Sequence, residues 1–491
     1  MFESADLGHA VDAQQFRAAV PDLRAGLLQA QRELSQSARC AVAILIAGFD
    51  GAGRGELANS LSEWFDPRHV ETHGMGDPQA DDGERPPIWR FWRVLPAKGR
   101  MGVFLGSWYT WPLLDRVFRD TRRAEYVERM EENARFERML VAEGVLVIKL
   151  WLHLSKKQQR EKLRQLAKDP LTRWRVTKRD WLHHALYGRF RTASETMLRV
   201  TSTVEAPWTI VSGADRRYRR LTAGKIILEA LRKRLAQPAA PAPAAASPLP
   251  TLDNVRILRS LKLERKLGKS EFATAMEKYQ GQLNLLTRHK RFRDLAVAVM
   301  FEGNDAAGKG GAIRRVASAL EARMFQVVPV AAPSDEERAR PYLWRFWRHI
   351  PPKGRLAIFD RSWYGRVLVE RVEGFCSEHD WMRAYGEIND FETQLAAHGC
   401  LVVKFWLAIS KDEQLRRFRE RETIEFKRFK ITPDDWRNRR KWDRYEAAVC
   451  DMVERTSTPA APWTVVEANN KNFARIKVLK TLCRSIEARL D

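Results

Sequence analysis

The stretch Gly303-Asn304-Asp305-Ala306-Ala307-Gly308-Lys309-Gly310-Gly311 sets two glycines and a lysine at the spacing G-x-x-x-x-G-K, the spacing of a phosphate-binding P-loop. Glycines admit backbone angles that turn successive N–H groups toward one anion. A helix opening at Lys309 would add the partial positive charge of its N-terminus. The backbone of Gly303, Asn304, Ala306, Ala307, Gly308, Gly310 and Gly311 is thus the candidate cradle, and Lys309 brings a full charge to the phosphoryl group held there. Such loops ordinarily follow the lysine with Ser or Thr, whose hydroxyl ligates magnesium. Gly310 has no hydroxyl, so a metal has to be held from elsewhere.

An apolar strand that ends in Asp, downstream of a P-loop, is the metal-holding arrangement of P-loop phosphotransferases. Leu356-Ala357-Ile358-Phe359-Asp360 has that form. Asp360 would stand at the carboxyl end of its strand, where open α/β sheets bind ligands. The plainer role for Asp360 is a capping carboxylate paired with Arg361.

These groups need a frame, and the surrounding sequence predicts one. Short apolar runs at 295–301, 356–359, 401–407 and 463–466 read as buried strands. A helix is expected from Lys309 to about Arg323. Short buried strands separated by helices predict an α/β fold, a P-loop kinase-like parallel sheet sandwiched by helices. From Lys411 to about Arg455 the chain is dense in Arg and Lys. That segment is too polar for core and is expected to form a helical lid over the site.

The frame is written twice. An offset of 255 residues relates Gly48 to Gly303, Trp89-Arg90-Phe91-Trp92-Arg93 to Trp344-Arg345-Phe346-Trp347-Arg348, and Pro207-Trp208 to Pro462-Trp463. One constant register over so long a span indicates a tandem globular duplication. The expected division is a first domain at 1–236, a Pro/Ala-rich linker at 237–250 and a second domain at 251–491. Proline every few residues keeps such a linker extended. The first copy keeps the loop glycines but has Arg54 at the lysine position, and Leu105 and Gly106 where the second has Asp360 and Arg361. An apolar side chain holds no magnesium, and Arg does not replace Lys at a point-charge site. The first copy is therefore expected to be inactive.

The net charge of +24 over 491 residues points to a polyanionic partner. Five scattered cysteines without a CxxC pair read as reduced thiols. No basic and apolar leader opens the chain and no run of 18 apolar residues occurs, so a cytoplasmic protein without a membrane span is expected. The ten histidines show no metal-ligand spacing and read as structural or solvated. The duplicated Trp-Arg-Phe-Trp-Arg run is expected to pack in the core.

The C-terminal half resembles the type-2 polyphosphate kinase family over nearly its whole length. The resemblance rests on 302–311, Phe359-Asp360-Arg361-Ser362-Trp363-Tyr364, the run at 344–348, Arg417-Phe418-Arg419-Glu420-Arg421, Glu454-Arg455-Thr456-Ser457-Thr458 and Ala461-Pro462-Trp463. The resemblance implies that Lys309 binds the phosphate being moved and that Asp305 and Asp360 handle Mg²⁺, or Mn²⁺, and orient the acceptor. It also implies that Arg361 binds phosphate in the transition state. Arg417, Arg421, Lys427 and Lys430 would hold nucleotide or polyphosphate. Phe429 and Arg440 depart from the family pattern, which often has Trp and Asp there. The double-length form with a degenerate first half is similar to the branch that phosphorylates AMP to ADP. The implied partners are inorganic polyphosphate and a nucleotide, with neither specific nucleic acid nor membrane, and homo-oligomers are compatible with it. Two other readings stand beside this one: a polyphosphate-dependent kinase of ADP or GDP, and a polyanion-binding protein with a vestigial P-loop.

Overall fold

The computed structural model describes residues 1–77, 80–119, 121–237 and 256–491, without the side chains of 80, 81, 256, 426, 427 and 430. The chain divides into two compact units. One comprises Met1–Pro78, Pro87–Ala240 and Pro333–Trp344, the other Gln79–Pro86, Pro241–Ala332 and Arg345–Asp491. Most of the linker expected at 237–250 lies outside the described residues.

Each unit contains one five-stranded parallel sheet. In the first unit the strands are β1 (Ala41–Gly48), β2 (Val70–Gly74), β3 (Met101–Leu105), β4 (Val145–His153) and β5 (Trp208–Ser212). In the second they are β6 (Ala296–Gly303), β7 (Phe325–Pro329), β8 (Leu356–Asp360), β9 (Cys400–Ala408) and β10 (Trp463–Glu467). The strand orders are β2-β3-β1-β4-β5 and β7-β8-β6-β9-β10, so every strand of the second sheet occupies the place of its counterpart 255 residues earlier.

In the second unit β6 is central, flanked by β8 and β9. Alternation along the strand sends Val297, Val299 and Phe301 to one face. There they pack with Val478, Leu482 and Ile486 of the helix Lys471–Leu490. The other face is covered by the helix Glu378–Ala397, which buries Ile388 and Leu395. The pairing that aligns Phe301 with Asp360 brings the end of β6, where the P-loop begins, beside the end of β8. The duplicated aromatic run is core, as expected: Trp344, Phe346 and Trp347 are buried, as are Trp89, Phe91 and Trp92.

Three details differ from the sequence reading. The helix that opens at Lys309 ends at Ala317 rather than near Arg323. Ala319 and Leu320 turn into the core, and a short turn leads into β7. That strand, absent from the sequence reading, lies at the sheet edge and is mostly exposed, so it lacks the apolar run of a central strand. The basic segment 411–455 is helical, at Lys411–Thr423, Pro433–Arg440 and Trp442–Thr456. Its last helix is not part of a polar flap, because Ala448, Val449, Met452 and Val453 are buried.

Candidate active site

The loop of the second unit leaves β6 at Gly303, whose φ is +151°. A Cβ there would lie 2.5 Å from the carbonyl oxygen of Leu407, so glycine is required twice over, by angle and by space. Gly308, at φ +108°, caps the helix Lys309–Ala317. An added Cβ at Gly308 or Gly310 would meet no atom within 4 Å, so the loop faces open space. The missing hydroxyl at position 310 is therefore not a matter of crowding.

Lys309 Nζ donates to the carbonyls of Gly303 (2.7 Å) and Asn304 (3.3 Å), which folds the ammonium back over its own loop. Burial and the Arg361 guanidinium pull this ammonium below the usual lysine range, while Asp305, Glu302 and Asp360 pull it upward. Asp305 Oδ2 accepts from Asn438 Nδ2 at 2.8 Å, and its Oδ1 faces Arg361 at 3.4 Å. The Asp360 carboxylate makes no hydrogen bond or ion pair among the described residues. Arg361 leans on Asp305, so the capping pair between Asp360 and Arg361 does not form.

Two residues at the site carry backbone strain. Ala306 has φ +64° and Arg361 φ +65°, angles that L side chains adopt at a cost of about 1–2 kcal/mol. The first unit has glycine at both equivalent positions, Gly51 at +81° and Gly106 at +80°. The two copies thus share one backbone path, and only the second accepts strain to place a guanidinium beside the loop.

Several functional groups escaped the sequence reading. Glu302 is buried at the end of β6 and accepts from Ser362 Oγ at 2.9 Å. Burial pushes its carboxyl above the usual range, with Lys309 and Ser362 opposing. Asn438 ties the helix Pro433–Arg440 to Asp305 and accepts from the Tyr445 hydroxyl at 3.2 Å. Beneath the segment that follows Arg361 lies a buried network. Glu392 accepts from Trp363 Nε1 (2.9 Å), Tyr364 Oη (2.7 Å) and Lys404 Nζ (2.7 Å), and Lys404 also donates to the Thr456 carbonyl (2.7 Å). The first unit repeats its frame with Glu137, Trp108, Lys149 and Thr201.

The lid cations divide. Arg417, read from sequence as a substrate contact, is a correction. It is buried, and all of its N–H groups are engaged, with Glu413 (2.6 Å) and the carbonyls of Ala306 and Ala307 (2.9 Å each), Ala468 (2.7 Å) and Asn469 (2.8 Å). It braces the loop from behind. Arg421 lies near the end of the same helix; burial holds the Asp435 carboxyl above the usual range, and Arg421 is among the groups that oppose this. The side chains of Lys427 and Lys430 lie outside the described residues.

In the first unit the loop carboxylate, Asp50, pairs with Arg54 at 2.5 Å, and His183 Nδ1 lies 2.5 Å from its other oxygen. Leu105 ends β3 where Asp360 ends β8.

A parallel sheet whose central strand runs into a P-loop, with an aspartate at the end of the neighbouring strand, defines a P-loop phosphotransferase. The chain belongs to the polyphosphate kinase 2 family, whose model matches residues 10–238 and again 266–491. It is 54% identical to a polyphosphate:AMP phosphotransferase of Pseudomonas aeruginosa, over 99% of both chains. A polyphosphate:AMP phosphotransferase of Acinetobacter johnsonii is 37% identical over 95% of this chain and 96% of its own. A crystal structure of a Pseudomonas aeruginosa PA01 chain assigned to polyphosphate kinase 2 superposes with a TM-score of 0.91 at 52% identity. It covers 100% of this chain and 99% of that one. No helix among the described residues is long and apolar enough to cross a membrane.

Proposed function

We propose that this chain moves the terminal phosphoryl group of inorganic polyphosphate to AMP, giving ADP, and that the second unit alone performs the chemistry. One observation carries the reading: Lys309, Asp305, Asp360 and Arg361 converge at the carboxyl ends of the neighbouring strands β6 and β8 in the second unit, on a frame that both copies share. AMP as acceptor is supported by full-length relatives of that name which span both copies.

A phosphate oxygen of AMP attacks the terminal phosphorus, the new P–O bond forms, and the bridging P–O bond to the polymer breaks. The shortened polymer leaves with the bridging oxygen. Such transfer needs positioning and charge neutralisation more than covalent help. The loop N–H groups and Lys309 hold the moving group. Arg361, kept near by Asp305, neutralises charge as it spreads over the equatorial oxygens. Asn438 sets the direction of the Asp305 carboxylate, and Arg417 fixes the loop carbonyls so that the N–H groups face the substrate.

The donor set fits magnesium. Mg²⁺ is ordinarily held by one or two carboxylates, with phosphate oxygens and water completing its shell. Asp360, whose carboxylate has no hydrogen-bond or ion-pair partner among the described residues, and Asp305 offer two such carboxylates, and no group of three or more acidic, histidine or cysteine ligands occurs among those residues. Held by Asp360 and Asp305, the ion would offset the negative charge of the phosphate groups. The cytoplasmic setting remains part of the reading, supported by five free thiols.

The test is a magnesium-containing assay with polyphosphate and each of AMP, ADP, GMP and GDP, with products resolved. ADP from AMP should exceed every other product. Preferential phosphorylation of ADP or GDP would replace the acceptor assignment, and ATP outperforming polyphosphate as donor would replace the donor.

A further inference from the structure

The first unit has lost the reactive groups but has not closed over their place. A cavity of about 300 Å³ stands at its loop, bordered by Gly48, Asp50, Arg54, Gly106 and His183. That size lies at the lower end of small-ligand sites. Its chemistry differs from the second unit in a directed way. Ala47, Leu105 and Gly106 stand where the second unit has Glu302, Asp360 and Arg361, so three charges are gone. Phe49 and Phe190 stand where it has Asn304 and Tyr445. Phe49, Phe190, Leu113 and Leu114 now give the cavity an apolar wall.

The anion-facing side is kept. Gly48, Gly51 and Gly53 retain the positive φ angles of the cradle, at +140°, +81° and +85°. The loop is braced by its own arginine. Arg219, fully buried, lies under Gly53 and donates to the Gly213 carbonyl (2.8 Å) and to Glu56 (2.6 Å). Arg54 spends one bond on Asp50 and is one-third exposed, and Arg179 reaches the same cavity. His183 supplies an independent sign of a ligand. Its residue exposure is 9%, its Nδ1 is engaged by Asp50, and its Nε2 is buried with no partner among the described residues. A buried polar atom left without a partner is costly, and the ring lines the cavity. An anion in the cavity that drew the ring toward it would accept a hydrogen bond from Nε2–H and complete a row of carboxylate, imidazole and anion.

We propose that this cavity is a second ligand site, which binds a nucleoside monophosphate without metal and without turnover. The phosphate lies on the loop against Arg54, Arg179 and His183, and the base lies along Phe49, Phe190 and the two leucines. Leu105 leaves no carboxylate for a magnesium-bound diphosphate or polymer, which favours the monoester. A bare phosphate or a polyphosphate chain would leave the apolar wall unused. The site stands independently of the donor used in the second unit.

The test uses the full chain carrying Lys309→Met, in EDTA, with 8-azido-AMP as photoprobe and the labelled peptides mapped. Peptides containing residues 106–118 or 183–197 should be labelled, and AMP should protect them. Leu113→Trp, which fills the cavity, and His183→Ala, which removes the unpartnered nitrogen, should each weaken that labelling at least tenfold and leave C-terminal labelling unchanged. Thermal melting reports whether either variant folds, and His183→Ala stands alone if Leu113→Trp does not. Label confined to the C-terminal half overturns the proposal, as does N-terminal label indifferent to both substitutions. Equal protection by orthophosphate alone would reduce the site to a phosphate site and overturn the nucleoside part.

Discussion

Replacing Arg361 by alanine and by glycine separates what its side chain does from what its backbone costs. Arg361 sits at φ +65°, and a left-handed non-glycine residue costs roughly 1–2 kcal/mol. Alanine keeps that strain. Glycine removes it but returns about 0.4–1 kcal/mol through a freer unfolded chain. At the centre of these ranges the glycine variant is more stable than the alanine variant by about 0.8 kcal/mol. The ion pair with Asp305 is lost in both and drops out of the comparison. It is long, at 3.4 Å, and Arg361 is half exposed, so it contributes only about 0–1 kcal/mol. For a unit of this size the difference is roughly 2–3 °C in Tm. Both variants should lose transfer activity alike, by about 10³-fold or more, the scale of a transition-state arginine in phosphoryl transfer. Calorimetry and steady-state ADP formation on the same preparations read both quantities. An alanine variant as stable as the glycine variant would refute the strain argument. Activity within tenfold of wild type in either would remove the guanidinium from the reaction.

Glu392→Gln should destabilise the second unit by about 3–5 kcal/mol, because it leaves Lys404 charged and unpaired in the core; denaturant unfolding measures this, and Glu392→Gln with Lys404→Met should recover most of the loss. Asp360→Asn should shift the magnesium titration of activity to higher concentration and lower the maximal rate, whereas an unchanged titration curve would remove Asp360 from the metal site. Added salt should raise KM for long-chain polyphosphate more steeply than KM for AMP, because polymer binding releases counterions and exposed charges are screened over about 10 Å at 0.1 M; parallel slopes would argue against an extended basic track.

Residue type and spacing were enough for the loop, the Asp360 strand and the duplication. Glycine at 303 and 308 is dictated by backbone angle, and four strands of the second sheet announced themselves as apolar runs. The edge strand β7 did not, since Gln326 and Val327 face solvent and its order comes from pairing with β8. Arg417 shows the limit of composition: its neighbours suggested a solvated lid, but its guanidinium turns inward to four backbone carbonyls, and direction is not written in sequence. Asn438 and Glu302 act through partners far along the chain, 133 and 60 residues away. His183, read as structural or solvated, meets Asp50 across 133 residues. A usable signal existed for the buried network. Lys149 and Lys404 each interrupt an apolar strand at the same register, and Glu137 and Glu392 recur twelve residues before them.

The central claim, that one copy of the duplicated frame carries the chemistry, rests most directly on Lys309. Single-turnover formation of ADP from polyphosphate and AMP, with Lys309→Met in the full chain, tests it. Loss of one electrostatic group at such a site lowers the rate by about 10²–10³, and a full charge at the moving phosphoryl group should reach at least that. A variant that folds normally and still makes ADP within tenfold of the wild-type rate would contradict the account and move the chemistry to the first unit or to another site.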